Sequence, residues 1–338
     1  MLDPASLYSL VGPYAGADAP RLVEPPLVVA LSGFVDAGSA VKLAVEQLRS
    51  SSTHHVVATF DVDQLHDYRA RRPVMTFEGD RWAAYDAPRL QLLRVYDEEG
   101  ASFLLLTGPE PDVQWERFCA AVWQLADRLG VSTTILLAAA PTAVPHTRPG
   151  GVTASASRPE LLEGYRTWDV EAQVPGHAAA LLHLRGAEEG RDVISVLAHV
   201  PHYLAGNDYP DSAAVLLRAV SAATGVDVPV DALLDVAATT RVEVDAQVAQ
   251  SPEAQAVVRA LEEQYDAIGE EGRGTSVAAS FLPSADELGA EFERFLAAEE
   301  ATDPAGGETG GETGGAAGGE EGRSSGEGPQ AGEGPPAR

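Results

Sequence analysis

The sequence predicts an α/β protein in which helices cover both faces of a mostly parallel β-sheet. Short, continuous apolar runs at 27–31 and 103–106 are typical of strands that are buried on both faces. Apolar residues at helical spacing follow the first of these runs, over 40–48. Because strand and helix patterns alternate along the chain, the α/β class is predicted.

The other elements of this fold follow from the same two patterns. Further strands are predicted at 55–60, 74–77, 90–96, 133–139 and 193–197. The segments at 74–77 and 90–96 are expected to pair as a hairpin. Helices are predicted at 112–129, 177–184 and 211–223, and Gly130 ends the first of them. A long polar loop is expected from 141 to about 157.

The C-terminal part of the chain is predicted to be helical and then disordered. Asp231 is a typical N-cap for a helix that begins at Ala232, and Ser251-Pro252 is a typical N-cap with proline at the first helical position. Ser284 with Glu287 forms a capping box. From 301 onwards, the chain is mostly Gly, Glu, Ala, Pro, Ser and Thr, with no large apolar side chain to drive folding. We therefore predict four parts: an N-terminal extension (1–24), an α/β core domain (25–230), a helical region (231–300) and a disordered acidic, glycine-rich tail (301–338).

The composition argues against several kinds of partner and site. The chain has 338 residues and a net charge of −28, which disfavours binding to nucleic acids and to anionic membranes. Its single cysteine, Cys119, excludes an internal disulfide and lies in an apolar stretch, where a buried, inert thiol is expected. Its single lysine, Lys42, is not part of a phosphate-binding P-loop motif, and no Gly-x-Ser-x-Gly motif is present. No cofactor and no metal are expected.

The cellular compartment is predicted to be the cytoplasm. The N-terminal residues lack the basic and apolar regions of a secretory signal. No apolar run reaches the roughly 20 residues that a membrane helix needs.

Four loops that follow predicted strands are candidate ligand or partner sites, because ligands of parallel sheets bind beyond the carboxyl ends of the strands. The first loop contains Gly33, Phe34, Asp36 and Gly38. Its glycines permit a sharp turn close to a ligand, and Asp36 can be a carboxylate of a ligand site or the cap of the following helix. Capping is the favoured interpretation, since an aspartate at a helix start would repel a phosphate.

The second loop carries three arginines, Arg69, Arg71 and Arg72, within four positions. They could clamp an acidic partner or a phosphate. They could equally form ion pairs with Asp61, Asp63 and neighbouring acids. The sequence leaves both interpretations open.

The third and fourth loops contain the side chains best suited to acid–base chemistry. In the third, His146 could act as a general base and Arg148 as an anion clamp, with Thr147 between them. A structural role, in which this loop is fixed in a subunit contact, is at least as well supported. In the fourth, His202 and Tyr203 follow His199 in a His-x-x-His pattern, but Pro201 interrupts the helix that a zinc-protease motif needs, so a metal is disfavoured.

Six motifs in order along residues 25 to 268 resemble the proteasome assembly chaperone 2 family. They comprise Gly33-Phe34 with Asp36-Ala37-Gly38, Tyr68-Arg69 with Arg71-Arg72-Pro73, Gly108-Pro109-Glu110-Pro111-Asp112 with Trp115, Val144 to Pro149, Val200 to Tyr203, and Leu261-Glu262 with Tyr265-Asp266. The arginine-rich, lysine-poor composition resembles an actinobacterial member.

The resemblance implies a three-layer α/β/α sandwich related to nucleoside phosphorylases. It also implies a homo-oligomer, with a trimer as the expected form, and a role in the assembly of the proteasome core particle. The first hypothesis is therefore a non-catalytic chaperone or scaffold that acts through protein contacts. The alternative is a phosphorylase-like or hydrolase-like enzyme that uses the His146/Arg148 and His202/Tyr203 loops. An ATP-grasp ligase is disfavoured, because Lys42 alone would have to hold the phosphates.

Overall fold

A computed structural model describes residues 2–16, 22–168, 171–271 and 276–277, with side chains to residue 267. All of these residues belong to the first of the two units into which the chain divides, Met1–Glu291. The strands are β1 (Tyr8–Leu10), β2 (Leu27–Ser32), β3 (Thr53–Phe60), β4 (Met75–Glu78), β5 (Arg81–Tyr85), β6 (Gln91–Tyr96), β7 (Ser102–Pro109), β8 (Thr133–Thr142), β9 (Val152–Ala156), β10 (Thr167–Trp168), β11 (Asp192–Pro201) and β12 (Ser276–Val277). The α-helices are α1 (Ala40–Ser51), α2 (Trp115–Leu129), α3 (Ala178–Glu188), α4 (Pro210–Thr224), α5 (Asp231–Val248) and α6 (Pro252–Glu271).

The main sheet is mixed, with parallel strands at its centre. Its strand order is β1-β3-β6-β7-β2-β8-β11-β9. The four strands β7, β2, β8 and β11 run parallel, whereas β6, β3 and β1 on one side and β9 on the other join by antiparallel pairing. The predicted parallel sheet is therefore present as the centre of a larger mixed sheet.

Helices cover both faces of this sheet, which confirms the predicted α/β/α sandwich. On one face, α1 and α4 pack against side chains such as Val28 and Ala30. On the other face, α2 and α3 pack against Leu27 and Val29 of the same strand. Successive residues of β2 thus enter opposite cores, which explains its uninterrupted apolar sequence.

The strand at 74–77 forms a hairpin with a different strand from the one predicted. The segment that contains β4 pairs with β5, while β6 lies between β3 and β7 in the main sheet. Leu92, Leu93 and Val95 give β6 buried side chains on both faces, whereas every residue of β4 and β5 is exposed. The apolar residues at 74–77 therefore form a projecting hairpin instead of an edge of the core.

Among the boundaries that differ from the sequence prediction, those of the third loop and of α2 affect the candidate sites. The loop expected at 141–157 contains β9, and α2 begins at Trp115 instead of residue 112. α2 starts later because Gln114, just before it, has a φ of +60°, which is not helical. The Asp112 carboxylate accepts a hydrogen bond from the Asp67 amide (2.6 Å) and binds Arg71 (2.7 Å). Asp112 thus serves the second loop instead of the helix.

The C-terminal helices start within one residue of the predicted positions, with Val230 instead of Asp231 as the N-cap of α5. α5 begins at Asp231, and α6 begins at Pro252 after Ser251, whose hydroxyl accepts a hydrogen bond from the Ala254 amide (3.2 Å). The helix predicted after Ser284 and the tail at 301–338 lie outside the described residues.

Two further observations bear on the composition argument. Cys119 is buried in α2, and burial raises the pKa of its thiol to about 12, as expected for an inert cysteine. Among the described residues, no helix is long and apolar enough to cross a membrane.

Candidate functional site

The first loop is held by its own hydrogen bonds and by the fourth loop. The Asp36 carboxylate accepts hydrogen bonds from the amides of Val41 (2.7 Å) and Lys42 (3.3 Å) at the start of α1. Burial raises the pKa of this carboxyl group, although both amide bonds oppose the shift. The Gly38 carbonyl accepts a hydrogen bond from the Tyr209 amide (2.8 Å). Asp36 is therefore a helix cap, as favoured from the sequence.

Glu110 connects this loop to α3, a role that sequence reasoning missed. One carboxylate oxygen accepts a hydrogen bond from the Phe34 amide (3.1 Å), and the other accepts one from the Ala178 amide (2.6 Å). A Cβ atom on Gly33 would lie 2.3 Å from the Glu110 carboxylate, so glycine is needed there for the close approach. From the sequence, Glu110 was identified only as part of the Gly108-Pro109-Glu110-Pro111-Asp112 motif.

We expect Glu110→Ala to destabilise the fold by about 2 kcal/mol, because two backbone amides lose their acceptor. Glu110→Gln retains one acceptor oxygen and should lose about half as much. Urea denaturation of the two variants and the wild type measures this order. Equal losses for both variants would contradict the two-amide bridge.

One arginine of the second loop forms an ion pair within the chain, and the other two are exposed. Arg71 contacts the Asp112 carboxylate (2.7 Å) and donates to the Glu110 carbonyl. The ion-pair interpretation thus applies to Arg71, but with Asp112 as the partner instead of Asp61 or Asp63. Arg69 and Arg72 are exposed and form no ion pair with any described residue. A clamp for an acidic partner stays a prediction for these two residues.

The third and fourth loops meet at a buried histidine. His146 is 2% exposed. Its backbone amide donates to the Tyr203 hydroxyl (2.9 Å), and its Nδ1 lies 2.6 Å from the same oxygen. Its Nε2 lies 3.0 Å from an Asp245 carboxylate oxygen on α5. Burial raises the pKa of Tyr203 to about 12, so the phenol stays protonated and its hydroxyl can donate to Nδ1.

The rest of the third loop is bound to α6. Arg148 makes a bidentate contact with Asp266 (2.8 and 2.6 Å) and a third contact with Glu262 (3.1 Å). Thr147 donates to the same Glu262 carboxylate (2.5 Å), and Tyr265 donates to the Pro149 carbonyl (3.1 Å). The loop motif and the α6 motif are thus one contact within the chain. The structural role expected from the sequence was, in contrast, a contact between subunits.

The two histidines of the His-x-x-His pattern face different neighbours. His202 packs edge-on against the Tyr203 ring, with the ring centroids 5.4 Å apart. His199 is 7% exposed, and its Nε2 lies 3.3 Å from the Thr153 hydroxyl. Within the described part of the chain, no three His, Cys, Asp or Glu side chains gather as a metal site would require.

His199 should make the fold sensitive to acid. Burial and the positive charge of Arg166 lower the pKa of His199 from 6.5 to about 4. Between these pH values, the unfolded chain binds a proton that the folded chain does not, so this contribution to stability is present above pH 6.5 and lost as the pH falls. The expected loss is about 2 kcal/mol at pH 5.

Urea denaturation from pH 7 to pH 4.5 checks this prediction. His199→Gln removes the titrating group and should flatten the pH dependence, whatever its effect on stability at pH 7. Parallel pH curves for the variant and the wild type would contradict it.

The fold and the candidate site define a class of protein: a three-layer α/β/α sandwich whose strand-end loops are bonded to a C-terminal helix pair. The profile of the PAC2 family matches residues 30–248. The chain belongs to this family, which confirms the resemblance seen in the sequence motifs. Among functionally curated proteins, none matches the chain.

Solved structures from actinobacteria show the same fold. A Corynebacterium glutamicum protein of unknown function is 37% identical over 79% of this chain and 100% of its own, with a TM-score of 0.75. A Mycobacterium tuberculosis protein of unknown function is 42% identical over 87% of this chain and 96% of its own, with a TM-score of 0.73. A second M. tuberculosis protein, described as a proteasome-assembly chaperone homologue, is 26% identical over 69% of this chain and 99% of its own, with a TM-score of 0.63.

Proposed function

We propose that this protein is a proteasome assembly chaperone-like scaffold that acts through protein contacts, as a homo-oligomer, and not by catalysis. The main support for this proposal is that the polar side chains at the strand ends are bonded to other residues of the same chain. His146 is bonded to Tyr203 and Asp245, and Arg148 is bonded to Glu262 and Asp266. These groups stabilise the contact between the core and the C-terminal helices. The M. tuberculosis relative described as a proteasome-assembly chaperone homologue supports the same role.

The enzyme alternative receives less support from this geometry. A general base must reach the proton that it removes. Both ring nitrogens of His146 already have partners within the chain, and 2% of the residue is exposed. The Arg148 guanidinium would have to leave two carboxylates before it could bind a phosphate.

The β4–β5 hairpin provides a surface for self-association. Phe77 is 56% exposed and Trp82 is 64% exposed, and their rings contact each other edge-on. Exposed apolar clusters of this kind are typical of protein–protein contact sites. Arg69 and Arg72, which are exposed and close in sequence to this hairpin, can form ion pairs with acidic side chains of a second copy.

Light scattering of the purified full chain tests the self-association. The double variant Phe77→Ser with Trp82→Ser should shift the protein towards the monomer. The control carries Val236→Ser and Val242→Ser, which replace exposed apolar residues of α5 and should leave the oligomer unchanged. A monomeric wild type, or an unchanged mass for the hairpin variant, would contradict this part of the proposal.

Affinity purification of the tagged chain from cells of its source organism tests the chaperone role. We expect proteasome core subunits to be enriched, and a deletion strain to accumulate unassembled core subunits. If no proteasome subunit is enriched and assembly is normal in the deletion strain, the proposed function is wrong.

A further inference from the structure

We infer that a small organic anion binds in a cavity at the carboxyl ends of β8 and β11. The cavity has a volume of about 320 Å³ and lies between the third loop, the end of β11 and the turn before β10. This volume falls within the range of small-molecule sites, and the cavity lies at the carboxyl ends of two parallel strands, the edge at which α/β sheets bind ligands. The inference does not depend on the proposed scaffold function.

The charge of the lining selects an anion. The described residues that line the cavity include two arginines, Arg148 and Arg166, and no aspartate or glutamate. This is unusual in a chain with 51 acidic and 23 basic residues. The charge of Arg148 is offset by Asp266 and Glu262, whereas Arg166 forms no ion pair with any described residue. Arg166 therefore supplies positive charge that no carboxylate among the described residues pairs with.

Arg166 also acts electrostatically on the wall of the cavity. His199 lines the same space. Burial is the larger cause of its low pKa, and the positive charge of Arg166 is the second cause. A bound anion near Arg166 would offset this positive charge and make protonation of His199 less unfavourable. The position of Arg166 at the rim, as an exposed residue, allows its guanidinium to meet an incoming ligand.

Tyrosines supply the other ligand-binding groups. Tyr165 and Tyr209 both line the cavity, and burial raises the pKa of each phenol, so both stay protonated and can donate hydrogen bonds to an anion. Val144, Val152 and Pro201 add apolar surface. A ligand that fits this lining has one carboxylate or phosphate group and a small aromatic or apolar body.

Titration calorimetry with the full chain tests the inference with four probes of similar size. Benzoate and phenyl phosphate carry the two candidate anionic groups, benzyl alcohol is neutral, and benzamidine is a cation. At least one anion should bind with a Kd below about 1 mM, and at least tenfold more tightly than the neutral and cationic probes. Preference for benzoate identifies a carboxylate site, and preference for phenyl phosphate identifies a phosphate site.

A pair of arginine variants shows whether binding occurs in this cavity. Arg166→Gln should weaken anion binding about tenfold or more, since a charge-assisted contact is lost. Arg218→Gln removes an exposed arginine of α4 outside the cavity lining and should leave binding unchanged. Anion binding no tighter than that of benzyl alcohol, or equal affinity for wild type and Arg166→Gln, would overturn the inference. Neither result would bear on proteasome subunit enrichment, so the two proposals fail separately.

Discussion

Replacement of His146 by alanine should lower the free energy of unfolding by about 3 kcal/mol. The imidazole is 2% exposed and bridges the Tyr203 hydroxyl to Asp245 of α5. Its loss leaves a cavity and removes a hydrogen-bond partner of the half-buried Tyr203 hydroxyl. Both effects weaken the contact between the third loop and the C-terminal helices. Urea denaturation at pH 7.5, followed by circular dichroism, measures the change.

The exposed histidine His55 of β3 provides the matched control for this variant. His55→Ala should change stability by no more than about 0.5 kcal/mol. Combination of His146→Ala with Tyr203→Phe tests the bond itself. Because the two side chains share a hydrogen bond, their effects should be non-additive by about 1 kcal/mol. Additive losses would show that the bond between His146 and Tyr203 does not contribute to stability.

The core of this fold was predictable because its strands have a clear sequence pattern. β2 and β7 are buried on both faces and therefore read as continuous apolar runs. The direction of β6 was not predictable, since an antiparallel neighbour of β7 can have the same buried side chains as a parallel one. β9 was missed because its alternating small and polar residues, such as Thr153 and Ser155, are also typical of a loop.

The candidate site was predictable where the contacts are local in sequence. Asp36 caps a helix that begins four residues later, so its spacing was informative. Glu110 was missed because its two amide partners are 76 and 68 positions away. The partners of His146 and Arg148 on α5 and α6 are also far away in sequence, and no residue pattern indicated that these helices return to the third loop.

Gly108→Ala should destabilise the protein by more than about 3 kcal/mol, because the substitution combines backbone strain with a collision. Gly108 has a φ of +143°, which side-chain-bearing residues rarely adopt. A Cβ atom there would lie 2.2 Å from the Arg89 carbonyl oxygen and 2.7 Å from the Leu90 Cα atom. Both obstacles belong to the backbone, so β7 and the segment before β6 would have to separate.

Gly100→Ala distinguishes the collision from the backbone strain. Gly100 also has a positive φ (+87°), but no atom lies within 4 Å of a Cβ built there. This variant should lose only about 1–2 kcal/mol, the cost of the backbone conformation. Thermal and urea denaturation of both variants measures the difference. Equal losses would mean that close approach does not restrict residue 108. A larger loss for Gly108→Ala would explain the glycine of the Gly108-Pro109-Glu110 motif by packing of the sheet, with no need for a ligand.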